Sequence, residues 1–218
     1  MIENRLLGFD ARVVAFDQTS RMRDMFFLRL DIREPRSTDD LVWPSVFDTR
    51  QGIGMTEAER QQWGFVGLKV PSWIGPNNGL WEDLERMRDF LAENTSEVRQ
   101  PYMEIAISCF SDDGFLLAAL YGGPYLEPTM PARPETSWRL LGFDVSDGSL
   151  ISGLMDCAYT ESELAVLREP WSSHLNEYHL FTDVAKALKF CKLTDKRVPE
   201  HAPFFVYGLW EIESISPV

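Results

Sequence analysis

The sequence is poor in the residues from which covalent or metal-bound staples are made. Its 218 residues include three cysteines, Cys109, Cys157 and Cys191, and three histidines. The cysteines lie far apart and form no CxxC pair, so neither a disulfide framework nor a zinc site is predicted. A chain of this length buries enough surface to fold without such staples. We expect reduced, buried thiols in a cytoplasmic protein, with no metal and no cofactor.

Long apolar runs are also missing. The longest spans residues 115–121, far short of the roughly 20 residues that cross a bilayer. The first residues, MIENRLLGFDAR, lack the basic segment and apolar run of a signal peptide. The sequence therefore predicts a protein with no membrane partner.

Basic residues are scarce. The chain has 21 Lys and Arg against 34 Asp and Glu, and its formal net charge is −13. The deficit is greatest in residues 101–170, which hold three basic and eleven acidic side chains. Such a surface repels nucleic acids, which excludes a nucleic acid partner, and it attracts basic proteins. The excess acid serves solubility alone in one interpretation and binding of a basic protein partner in the other.

Catalytic signatures are missing as well, because the sequence contains no GxSxG, HExxH, GxGxxG or phosphate-binding loop. His174 and His179 are five residues apart, which does not fit two metal ligands on one helix face. His201 lies in the segment PEHAP (199–203), whose prolines would hold it rigidly. Two interpretations stay open: a histidine bonded to a neighbouring strand, or a small-molecule enzyme or ligand pocket near His201 and Glu200. Between a non-catalytic binding protein and an enzyme, the sequence favours the binding protein.

Hydrophobic periodicity predicts an α+β fold with a mostly antiparallel or mixed sheet built from hairpins. About four helices are expected, with Asn78 as the N-cap of the second and Thr182 as the N-cap of the last. The predicted helices cover residues 56–63, 80–93, 160–169 and 183–193, and the predicted strands cover residues 5–16, 25–33, 102–110, 115–122, 138–145, 149–155 and 204–212.

A proline-rich stretch divides the chain. Residues 123–137 hold four prolines and are predicted to connect an N-terminal α+β half, 1–122, to a C-terminal α+β half, 138–218. The alternative is one compact domain overall. The six residues RLLGFD occur in both halves, at 5–10 and 139–144, although their flanking sequences diverge. The repeat indicates either two strands in similar environments, at equivalent positions of two sheets, or an ancient duplication.

Acidic side chains cluster around the segment Trp138–Thr160, which reads as a hairpin followed by a capped helix. They lack the DxDxDG spacing of a calcium loop. Three interpretations stay open: turn, cap and solvated residues, an anionic binding patch, or acids that serve catalysis or a metal. Tryptophans are favoured anchors of protein interfaces, and three of them would complete such a surface. The predicted acidic patch comprises Asp112, Asp113, Asp144, Asp147, Asp156, Glu161 and Glu163, and its predicted exposed anchors are Trp73, Trp81 and Trp171.

Two blocks of sequence carry a resemblance. One is WIGPN at 73–77 followed by LWEDL at 80–84, and the other joins GFDV at 142–145, SGL at 152–154 and RVPEHAPF at 197–204. Over about half of the chain, they resemble uncharacterised bacterial proteins encoded beside polymorphic toxins. The resemblance implies an immunity protein that neutralises a basic toxin by direct binding, and it assigns no functional residue.

Overall fold

The structure is a computed structural model that describes most of the predicted secondary-structure elements. The described residues are 3–12, 65–67, 79–93, 103–111, 134–147, 169–178, 180–200 and 202–212, together with the single positions 58, 62 and 166. Among them, no helix is long and apolar enough to cross a membrane.

The described strands form one six-stranded antiparallel sheet in the order β2-β3-β1-β4-β6-β5. Two α-helices and a short 3-10 helix accompany it. The elements are β1 (Glu3–Arg12), β2 (Phe65–Gly67), β3 (Gly79–Trp81), α1 (Leu84–Glu93), β4 (Met103–Ser111), β5 (Arg139–Asp147), the 3-10 helix (Ser172–His174), α2 (Val184–Arg197) and β6 (Phe204–Glu211).

The fold is therefore α+β, with two α-helices in the described part of the chain rather than about four. Ala58, Gln62 and Val166 are also helical, in agreement with the helices predicted at 56–63 and 160–169, whose other residues lie outside the described ones. The central β4–β6 pairing joins the two predicted halves of the chain in one sheet.

The predicted hairpins are not the pairings that the described strands make. β1 lies between β3 and β4, and β5 pairs with β6, a strand that follows it by more than fifty residues. On the other side of β5, Phe143 exchanges two backbone hydrogen bonds with Phe181, of 2.9 and 2.8 Å. The predicted hairpin partners 25–33, 115–122 and 149–155 lie outside the described residues.

Both helices begin later than predicted. Leu80 has the spacing of a helical residue, but it belongs to β3, and α1 begins at Leu84. The carboxylate of Asp83 accepts a hydrogen bond of 3.0 Å from the backbone N–H of Arg86, so Asp83 replaces the predicted cap Asn78. At α2, Asp183 rather than Thr182 caps the helix, which then continues to Arg197.

Both helices cover the same face of the sheet. α1 buries Met87 and Phe90 on a cluster that includes Phe9 of β1. α2 buries Phe190 on a cluster that includes Phe143 of β5. Because side chains alternate along a strand, the next residues point to the other face, which is also buried. That second apolar layer comprises Leu7, Leu80, Ile105, Ile107, Cys109, Leu141, Leu180, Phe205, Tyr207 and Leu209.

The two RLLGFD segments have the same local structure within one sheet, not in two. The pairing of β1 with β4 shifts register between Leu6 and Gly8, and the pairing of β5 with β6 shifts between Leu140 and Gly142. Such a bulge places one extra residue in the strand and increases its twist. Gly142 has a φ of +150°, a conformation that other residues rarely adopt.

Candidate functional site

The structure places Asp144, one residue of the predicted acidic patch, inside the protein. Its side chain is 2% exposed. One carboxylate oxygen accepts from the N–H of Val145 and the other from the hydroxyl of Ser146, both at 2.8 Å. The inclusion of Asp144 in an exposed patch is therefore wrong, because its carboxylate is satisfied within β5 on the face opposite the helices.

The rest of the predicted acidic patch lies beyond what the structure describes. Asp147 ends β5 with its backbone paired to Phe204, but the position of its side chain is not described. The structure therefore brings no two side chains of the predicted patch together. The residues outside the described ranges are Asp112, Asp113, Asp156, Glu161 and Glu163.

Of the three predicted tryptophan anchors, Trp81 is a core residue. It is 2% exposed, and its ring packs against Phe90 of α1 at a centroid distance of 5.8 Å. Trp81 is thus not the exposed anchor that was predicted, because β3 turns its ring under α1. Trp171 is half-buried and lies edge-on to Phe190 at 5.2 Å. Trp73 lies outside the described residues.

The residues considered for catalysis form no site among those described. Glu200 is exposed on a turn after α2, whereas His201, its predicted partner, is not described.

Burial raises the pKa of the Cys109 thiol, which keeps this thiol protonated. Cys191 is also buried, and its thiol donates to the carbonyl oxygen of Phe204 at 3.1 Å. Within the described ranges, no group of three or more His, Cys, Asp or Glu side chains could hold a metal ion.

An exposed acidic stripe runs along the solvent side of α1, and we name it the acidic ridge. It consists of Glu85, Asp89 and Glu93, which follow one another at intervals of four residues and therefore share one helix face. All three are exposed, and the side chain of Glu85 is 75% accessible. The last turn of α1 contains no basic residue. The four-residue spacing of these acids is visible in the sequence, on the side of the predicted helix 80–93 opposite its apolar residues.

An ion pair beneath the ridge directs a cation away from solvent. The guanidinium of Arg88 points to the sheet, where it donates to both carboxylate oxygens of Glu104 on β4 at 2.7–3.1 Å. A further hydrogen bond of 2.7 Å goes to Glu85. The pKa of Arg88 is raised, chiefly by the hydrogen bond to Glu104. The inward guanidinium ties α1 to β4. The charged side chains exposed on α1 are then three acids, Glu85, Asp89 and Glu93, and one cation, Arg86.

The second helix has the opposite surface charge. α2 holds five basic residues and one acidic residue, and its basic side chains project on the side away from the sheet. The acidic residue, Asp195, is half-buried and accepts from the backbone N–H of Phe204 at 2.8 Å. Burial raises the pKa of Asp195, and the hydrogen bond from Phe204 partly opposes this effect. The exposed basic residues are Lys186, Lys189, Lys192, Lys196 and Arg197.

No protein-family model matches the chain, and neither a curated protein nor a solved structure matches it. The surfaces described above are thus the basis on which a function is proposed.

Proposed function

We propose that the protein is a non-catalytic acidic binding protein that neutralises a basic protein toxin by direct contact, as bacterial immunity proteins do. The acidic ridge of α1 carries the proposal. It offers the carboxylates of Asp89 and Glu93, beside that of Glu85, which bonds Arg88, on one face of a helix whose opposite face is fixed in the core.

Rigid presentation is what makes the ridge suited to binding. Side chains on a packed helix lose little freedom when a partner binds, so less of the interaction energy is spent on ordering them. Carboxylates in a row attract a basic surface, accelerate encounter and define its register. The formal net charge of −13 adds a long-range attraction for a basic partner.

The first experiment identifies the partner. The chain, carrying an affinity tag, is expressed in its native host, and the product of the adjacent gene is tested for co-purification and for toxicity. We expect a basic protein whose toxicity the chain suppresses. Failure to suppress any adjacent toxin, together with failure to recover a protein partner, would show the proposed function to be wrong.

The second experiment tests the surface. Asp89→Lys with Glu93→Lys reverses two ridge charges, and Glu169→Lys with Glu177→Lys makes the same change at exposed positions in the C-terminal half. We expect the ridge variant to lower the association rate constant at low salt by about tenfold or more, and the control variant to lower it much less. Surface plasmon resonance at two salt concentrations measures both.

A third variant tests which of the two acidic surfaces binds the toxin. Asp112→Lys with Asp113→Lys changes the predicted acidic patch by the same charge. If this variant weakens binding and the ridge variant does not, the toxin binds the predicted acidic patch and the assignment to the ridge is wrong.

A further inference from the structure

The repeated RLLGFD segments begin two series of equivalent elements. Arg139 lies 134 positions after Arg5, and each segment lies within a strand, β1 or β5. β1 pairs with β4 as β5 pairs with β6, and in both pairs the register shifts at the same point of the repeat. The equivalence thus extends from six identical residues to the strands with which they pair.

The hairpin preceding each helix follows the same scheme. In the N-terminal half, β3 lies between β1 and β2 and pairs with both at Trp81. In the C-terminal half, Phe181 takes this place, because it bridges Phe143 of β5 on one side and Leu175 on the other. The strand order β2-β3-β1-β4 is therefore followed by its reverse: β6, β5 and the positions of Phe181 and Leu175.

The glycine of each repeat has the same neighbours. A Cβ atom at Gly8 would lie 2.7 Å from the Cβ of Leu80 and 2.8 Å from the carbonyl oxygen of the next residue. At Gly142 it would lie 2.6 Å from the Cβ of Leu180 and 3.0 Å from the next carbonyl oxygen. Each hairpin thus packs so closely on its repeat that only a hydrogen atom fits where a side chain would begin.

The helices continue the correspondence at a constant offset of 100 residues. Asp83 caps α1 by accepting from the N–H of Arg86, and Asp183 caps α2 by accepting from the N–H of Lys186. The buried positions are also 100 residues apart. They are Met87, Phe90 and Leu91 in α1, and Ala187, Phe190 and Cys191 in α2, which is longer and also buries Thr194.

The centre of the sheet relates the two series to each other. Gly8 pairs with Ile107, and Gly142 pairs with Leu209, so Ile107 and Leu209 are equivalent positions. These two residues also pair directly with each other across β4 and β6. Equivalent residues of antiparallel strands can pair with each other only beside a two-fold axis, which therefore passes through the sheet at Ile107 and Leu209.

We infer that the chain is an internal dimer: two copies of one structural unit, each a strand, a hairpin, a helix and a closing strand, joined edge to edge through β4 and β6. The partner that fits the edge of β4 is a second copy of the unit, supplied by the same chain. The offset between equivalent residues falls from 134 at the first strand to 100 at the hairpin. The first copy therefore holds 34 more residues between its first strand and its hairpin.

One pair of positions at which the copies differ provides the test. The ion pair between Arg88 and Glu104 occupies positions that correspond, in the second copy, to Leu188 and Val206. Both of these residues belong to the apolar cluster under α2. If the copies are equivalent, α2 and β6 have the geometry to hold the same ion pair.

The experiment transplants the ion pair into the second copy of the full chain. Leu188→Arg, Val206→Glu and Phe204→Glu are made singly. Leu188→Arg is then combined with Val206→Glu and, as a control that displaces the carboxylate by two residues along β6, with Phe204→Glu. We expect each single change to lower Tm by about 10 °C or more, because it buries an unpaired charge. The matched pair regains at least half of that loss, and the displaced pair regains none. A matched pair that regains no larger share of its single-variant losses than the displaced pair would overturn the inference.

A segment exchange decides the case in which neither pair folds. Residues 80–93 replace residues 180–193 in the full chain, and a control inserts residues 82–95, which shifts the apolar positions by two. We expect a single cooperative thermal transition for the first chain and none for the second. Loss of the transition in both would overturn the inference. Neither experiment requires a toxin, so the outcome is independent of the proposed function.

Discussion

The ion pair between Arg88 and Glu104 allows the energetics of the first copy to be predicted in detail. Glu104 is nearly buried, with 11% of its side chain exposed, whereas Arg88 retains 31%. Arg88→Leu leaves the carboxylate without the guanidinium that bonds both of its oxygens, and we expect a loss of about 3 kcal/mol in unfolding free energy. Glu104→Val costs less, about 1–2 kcal/mol, because Arg88 is more exposed and still bonds Glu85.

The double variant Arg88→Leu/Glu104→Val should lie within about 1 kcal/mol of the unaltered protein, since it removes both charges and introduces apolar side chains of suitable size. Leu188 and Val206 already occupy the equivalent positions under α2.

Urea unfolding of the four proteins, followed by circular dichroism, measures the coupling free energy between the two sites. An exposed change on the same helix, Arg86→Leu, serves as the control and should alter the unfolding free energy by less than about 0.5 kcal/mol. If the two single losses simply add in the double variant, the two side chains do not act as a pair and the reasoning is refuted.

Three further predictions concern the fold. Gly142→Ala and Gly8→Ala should each lower the unfolding free energy by about 2 kcal/mol or more, because the added methyl group would lie 3.0 Å or less from a Cβ atom and a backbone carbonyl oxygen; a urea midpoint unchanged in both would contradict this. Asp195→Asn should stabilise the protein at neutral pH. The raised pKa of Asp195 means that its ionisation opposes folding, and this cost is present above the folded-state pKa and disappears as pH falls below the unfolded-state pKa. Thermal unfolding from pH 3 to 7 checks that the gain vanishes in acid. Cys109 should resist a thiol reagent at pH 8 until the chain unfolds, since its thiol is buried and its pKa is raised; peptide mapping by mass spectrometry that finds it labelled in the folded protein would contradict this.

The local elements could largely be read from the residues. The apolar segments of β4 and β6, and the helical spacing of Met87 and Leu91, are local patterns, and both strands and the body of α1 lie where the sequence predicts them. The start of α1 was misplaced because Leu80 satisfies a helical spacing and a strand equally well. Its place in β3 depends on pairing with β1 and β2, which are distant in sequence.

The candidate site was harder to predict than the fold. Asp144 and Trp81 belong to residue types that are common on binding surfaces, yet both are buried in strands. Whether a side chain in a strand faces solvent depends on what covers each face of the sheet. A single strand does not contain that information.

The net charge of −13, the α+β composition and the recurrence of RLLGFD are properties of the amino-acid sequence itself, because composition and short-range periodicity need no folded chain to be read. The pairing of β4 with β6 and the two-fold relation around Ile107 and Leu209 arose only in the tertiary structure. Hydrogen bonds between strands join residues about a hundred positions apart, and a buried position specifies volume and polarity rather than identity. Two copies of a unit can therefore lose nearly all sequence identity and still keep the same register, bulge and helix cap.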